Sequence, residues 1–143
     1  MSKAGPPSRA DYKVFYPIST RWSDNDIYGH VNNVTYYSYF DTAANRYLIE
    51  EGGLDIGDGS IVGYVVSSGC EYHAPITYPE PVEAGLRVDR LGNSSVQYGL
   101  AIFRQGSDEA VAHGHFVHVF VNRAENKSVP IPESLRTALE KLQ

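Results

Sequence analysis

The sequence predicts an α+β domain: one long central helix packed on a five-stranded antiparallel sheet. Three observations carry this. One strand-like segment is followed by a single long amphipathic stretch and then by four more strand-like segments. The gaps between the last three strands are too short for a parallel crossover, so those strands are antiparallel neighbours. The helical stretch carries a broad apolar stripe containing alanines, which suits a helix lying closely on something as large as a sheet.

Taken in order, residues 1–11 read as a loose leader and residues 12–143 as one domain. Residues 13–21 (KVFYPISTR) have strand composition, with Pro17 pointing to an edge or a bulge. Residues 23–33 are crowded with Asp, Asn, Ser and Gly and form a loop, and Asn32 or Asn33 suits the cap of the following helix. That helix is expected over about residues 34–51, stopped by Gly52-Gly53. Tyr36, Phe40, Ala43 and Tyr47 share one face, widened by Val34, Tyr37, Ala44 and Leu48.

Strands are expected over residues 61–76, 82–91, 95–105 and 109–121, separated by Pro79-Glu80-Pro81, Gly92-Asn93 and Gly106-Ser107-Asp108. In the last of these, Val111, His113, His115, Val117, Val119 and Val121 alternate with Ala112, Gly114, Phe116, His118 and Phe120. A short helix over about residues 132–142, with Pro132 in its first turn, ends the chain. One long helix cannot cover both faces of such a sheet, so the other face is solvated or meets another subunit.

Composition removes several classes of function. With 143 residues the chain builds one core. A net charge of −5 argues against a nucleic-acid surface, which needs a basic face. No apolar run approaches the roughly 20 residues that span a bilayer, so no membrane partner is expected. The polar, proline-containing start is unlike a signal peptide. Cys70 is the only cysteine, which excludes an intrachain disulfide and a thiolate metal site. A cytoplasmic setting is expected. Several of the 11 tyrosines cluster near the loop, either lining a half-wet cleft or filling strands and interfaces.

The loop before the long helix concentrates the chemistry. Asp24, Asn25, Asp26, Tyr28, His30, Asn32 and Asn33 stand just ahead of a helix N-terminus, whose unpaired N–H groups attract developing negative charge. A carboxylate beside such donors suits attack on a carbonyl whose oxygen becomes an oxyanion. The plainer alternative is a loop whose Asp and Asn residues only cap the helix.

Residues 24–33 (DNDIYGHVNN), followed by Tyr36-Tyr37 and then residues 40–46 (FDTAANR), resemble the 4-hydroxybenzoyl-CoA thioesterase family of hotdog-fold proteins. The likeness runs from about residue 16 to residue 121, and Ile61-Val62-Gly63 and residues 78–88 (YPEPVEAGLRV) share it. It implies a hotdog fold, hydrolysis of an acyl-CoA thioester, and a homodimer or homotetramer with active sites at the subunit interface. No cofactor is implied, because CoA is part of the substrate.

Asp26 matches the family's catalytic aspartate, as nucleophile or as general base activating water. Asn33 falls where the family uses a backbone N–H as oxyanion donor. Tyr28 and Tyr64 fall at substrate-binding positions, and Tyr36, Tyr37 and Tyr39 suit an aromatic or medium aliphatic acyl chain. His30 has two readings: a participant, as in the plant acyl-carrier-protein thioesterases this loop also resembles, or a ring bonded to the loop backbone. Tyr28 stands where those enzymes have asparagine, which weakens the first.

Asp24 reads as structural, capping the helix or pairing with Arg21, and mid-helix Asp41 faces solvent or pairs with Arg46. His113 and His115 alternate on a strand without an evident third ligand, so no metal is expected. Arg87, Arg90, Arg104, Arg123 and Lys127 are the cations available to the CoA phosphates, with none singled out. The Asn-Pro of hotdog hydratases and the Phe-Pro of the fatty-acid dehydratases are missing. An acyl-carrier-protein thioesterase and a non-catalytic acyl-CoA-binding module remain the alternatives.

Overall fold

The computed structural model describes residues 5–55, 57 and 59–143. Helix α1 (Asn33–Glu50) starts where Asn32 turns extended and its side chain accepts the Val34 N–H at 2.9 Å. It ends because Gly53, at φ +73, turns the chain back so that the Leu54 N–H reaches the Leu48 carbonyl at 3.0 Å. The six strands are β1 (Val14–Ile18), β2 (Ile61–Tyr72), β3 (Val82–Leu91), β4 (Ser95–Arg104), β5 (Ala110–Asn122) and β6 (Lys127–Ser128). They form one antiparallel sheet in the order β1-β3-β4-β5-β2, with the two-residue β6 added on β5. The expected α+β hotdog architecture is therefore present, with β6 as a short sixth strand. Helix α2 (Glu133–Glu140) follows, and Pro132 precedes it as the cap residue instead of entering its first turn.

Several boundaries move for physical reasons. Pro17 is on edge strand β1, opposite Glu83. The second strand stops at Tyr72, short of residue 76, because the His73 and Ala74 N–H groups both bond the Val111 carbonyl, at 2.8 and 3.1 Å, and the ladder bends away there. Of the leader expected over residues 1–11, residues 1–4 lie outside the described residues. The Pro7 carbonyl accepts the Ala110 N–H at 3.0 Å, and Arg9 pairs with Glu83 at 2.6 Å.

The core is the contact between α1 and one sheet face. Tyr36, Phe40, Ala43, Ala44, Tyr47 and Leu48 are buried against Ala84, Leu86, Leu100, Ile102, Phe116 and Phe120. Ala43 and Ala44 have no side chain beyond Cβ, which lets the helix lie close. A smaller cluster of Tyr12, Phe15, Ala101, Phe103 and Ala110 forms apart from it, with the Arg9 guanidinium 5.0 Å from the Phe103 ring.

One polar pair is sealed inside the main core. Tyr98 and His118 are fully buried, and the Tyr98 hydroxyl lies 3.1 Å from His118 Nδ1. Burial disfavours the charged imidazolium and lowers the His118 pKa to about 4. The unfolded chain therefore binds a proton that the folded chain refuses between pH 6.5 and about 4. Stability is full above pH 6.5 and falls by about 3 kcal/mol on acidification through that window. Urea unfolding at pH 7 and pH 4.5 checks this against His118→Gln, which keeps an acceptor for Tyr98. The variant should lose much less stability on acidification than the wild type; equal losses would contradict it.

Candidate active site

The loop between β1 and α1 is fixed from both ends. Buried Asp24 accepts the Tyr39 hydroxyl at 2.8 Å, the Arg21 N–H at 2.8 Å, and the Arg21 guanidinium at 3.0 and 3.1 Å. Burial alone would raise its pKa. The bonds from the Arg21 N–H, the Tyr39 hydroxyl and the guanidinium outweigh that and hold the carboxyl below its usual range. The Asp24 carbonyl takes the Asn32 N–H at 2.8 Å, which ties the start of the loop to the helix cap.

Between these ties Asp26 opens a tight turn. Its carbonyl accepts the Gly29 N–H at 3.1 Å, its N–H bonds the His30 carbonyl at 2.9 Å, and Oδ1 accepts the Tyr28 N–H at 2.9 Å. Gly29 sits at φ +82, where a side chain would be strained. The other carboxylate oxygen takes no donor among the described residues. The turn holds Asp26 in place while leaving it an oxygen for chemistry.

Asp26 lines a cleft of about 440 Å³, within the roughly 300–1,000 Å³ range of small-molecule sites. Tyr28, His30, Asn33, Tyr36, Tyr72 and His73 also line it. Asn32 caps the Val34 N–H, not that of Asn33. As first helical residue, Asn33 has no carbonyl one turn back inside the helix for its own N–H. The Tyr72 hydroxyl donates to the Asn33 carbonyl at 3.0 Å and fixes this end of the helix. Burial raises the Tyr36 hydroxyl to about 12 and the nearby Cys70 thiol to about 11, so neither is an anion at neutral pH. No group of three or more His, Cys, Asp or Glu among the described residues is placed to hold a metal ion.

Asp26, Asn33, Tyr28 and His30, singled out from sequence, thus share one cleft. Tyr64 does not: it lies on β2 opposite Val119, half exposed, on the sheet face away from α1. Asp24 pairs with Arg21, as one of its two readings had it. Asp41 is bound by Asn45 at 3.0 Å, while Arg46 pairs with Glu50 at 2.9 Å, because helical neighbours stand four residues apart, not five. The His30 ring makes no hydrogen bond to the loop among the described residues; its main-chain carbonyl does. Sequence reading overlooked Tyr72 and His73, whose place in the cleft depends on strand register.

A long helix held by an antiparallel sheet, with a carboxylate-bearing loop at its start, defines a thioesterase-like hotdog protein. A family model described as the thioesterase-like superfamily matches residues 20–139, and the chain belongs to that superfamily. Among solved structures it is similar to the PA5185 protein of Pseudomonas aeruginosa strain PAO1, with 63% identity, 96% of each chain covered and a TM-score of 0.96. It is also similar to the BH1999 gentisyl-coenzyme A thioesterase, with 26% identity, 88% of this chain and 99% of that chain covered, and a TM-score of 0.79. A curated relative, the uncharacterized protein YsmA of Bacillus subtilis (strain 168), is 25% identical over 88 residues, which span 62% of this chain and 59% of that protein. No helix of the described residues is long and apolar enough to cross a membrane.

Proposed function

We propose that the protein hydrolyses an acyl-CoA thioester to the free acid and CoA, in the manner of the 4-hydroxybenzoyl-CoA thioesterase family. One observation carries the reading: Asp26 and Asn33, the first residue of α1, line the same cleft. The thioester carbonyl binds with its oxygen at that N–H. Asp26 attacks the carbon or takes a proton from attacking water, and the helix N-terminus stabilises the oxyanion. Tyr28 and Tyr36 contact the substrate and His30 borders it. Coenzyme A as carrier is supported by the activity in the name of the BH1999 relative.

A homodimer or homotetramer belongs to the same reading, as does a cytoplasmic setting. Strand β2 is the sheet's terminal strand, 12 residues long and exposed through its middle, an edge that natural proteins cover. Ile27 and Tyr28, beside Asp26, are 92% and 79% exposed in the single chain. A second copy would cover such apolar surface. A thiol-release screen over short, long and aromatic acyl-CoA esters tests the function. Turnover of at least one class is expected. Turnover confined to acyl-carrier-protein esters would transfer the activity to that carrier, and binding without turnover would leave a non-catalytic module.

A further inference from the structure

His73 follows the last residue of β2, and its N–H bond to the Val111 carbonyl brings its ring beside that of His113 on β5. His73 Nε2 and His113 Nδ1 are 2.7 Å apart, with the ring planes 2° from parallel. At that distance one nitrogen donates and the other accepts, so the pair shares a proton. His73 lines the cleft with Asp26, Asn33 and Tyr72, whereas His113 does not. His73 Nδ1 makes no hydrogen bond among the described residues.

Thioester hydrolysis has a use for such a group. A departing alkyl thiolate has a conjugate acid of pKa about 8.5 or above, so protonating the sulfur as it leaves helps at neutral pH. Burial and neighbouring His73 both disfavour the charged form of His113, as does Arg87, while Glu71, opposite His113 in the β2–β5 register, favours it. His113 is therefore disfavoured as the charged member of the pair, and His73 is the member exposed in the cleft. The other titratable groups lining this cleft are Asp26, Tyr28, His30, Tyr36 and Tyr72.

We propose that His73, with His113 as its proton partner, is a catalytic general acid that protonates the sulfur leaving group. The inference rests on the hydrolysis reading above. In the general-base route, the water oxygen bonds to the acyl carbon and Asp26 takes one water proton. The C–S bond then breaks, its electron pair goes to sulfur, and sulfur takes the Nδ1 proton of His73. The proton on Asp26 returns to the pair through solvent, so water and thioester give acid and thiol. If Asp26 attacks directly, the C–S bond breaks as the anhydride forms and sulfur departs with the same proton. Water then cleaves the anhydride to the free acid and Asp26, and the proton released with Asp26 returns to the pair through solvent.

The test compares kcat/KM for two thioesters of one acyl group, the CoA ester and the thiophenol ester, whose aryl thiolate leaves without a proton. His73→Gln should lower hydrolysis of the CoA ester by about 100-fold and that of the aryl ester much less. His113→Asn, outside the cleft, should show the same selective pattern more weakly, and it carries the test if His73→Gln fails to fold. Equal losses on both esters, or no loss on either, would overturn the role and leave the pair a strand-joining contact. Failure of the hydrolysis reading is distinguishable: the wild type would be inactive, or Asp26→Asn undiminished, and the His73 role would fall with it.

Discussion

Asp26→Asn should lower thiol release from an acyl-CoA by about 100- to 10,000-fold while the protein stays folded. Asparagine keeps the shape of the side chain and an oxygen for the Tyr28 N–H, now 2.9 Å from Oδ1, so the turn survives. It loses the negative charge, and with it the ability to attack the carbonyl or to deprotonate water. The thermal midpoint should stay within about 4 °C, since less than 1 kcal/mol of folding energy is at stake. A midpoint near the wild type with undiminished turnover would remove Asp26 from the chemistry.

The second large effect is on stability. Asp24→Ala should destabilise the fold by about 2 kcal/mol, because it orphans the buried Tyr39 hydroxyl and also frees the part-buried Arg21 N–H. The Arg21 side chain is 70% exposed, so its charge returns to water and adds no stranded-charge penalty. Asp24→Asn, which retains one acceptor oxygen, should lose less. The carboxyl titrates below its usual value when folded, so its contribution is full at neutral pH. It is lost as the pH falls below the unfolded value of about 3.9 and through the folded one. Urea unfolding at pH 7 decides the matter: a loss under about 1 kcal/mol for Asp24→Ala would mean that the loop is held elsewhere.

Local chemistry made much of this legible. The crowd of Asp, Asn and Gly before residue 34 marked the loop, Gly52-Gly53 marked the helix end, and Pro17 marked an edge strand. Relations between distant segments were not legible. Tyr64 and Tyr72 are an even number of residues apart and would share a face on a regular strand. The register shift between Val65 and Ser67 reverses the parity, so Tyr72 reaches the cleft while Tyr64 faces the other way. The same dependence hid the His73–His113 pair, whose members are 40 residues apart. Of the helix tyrosines offered for an acyl pocket, Tyr36 lines the cleft, Tyr37 stacks on Phe116, and Tyr39 is taken up by Asp24. Composition could not rank them, because each is an aromatic on or near the same helical face.

The central claim is that a carboxylate and a main-chain N–H act on one carbonyl, and position 33 tests it most directly. Proline is well tolerated as first helical residue, where it removes only an N–H that the helix does not use. Asn32, at φ −62 and ψ 139, already has the extended backbone that a following proline requires. Thiol release from an acyl-CoA should therefore fall by about 100- to 1,000-fold in Asn33→Pro and change little in Asn33→Ala, with both variants folded. Equal activity in the two would contradict the account, and so would an equal loss, since the first excludes the main-chain donor and the second puts the function in the Asn33 side chain.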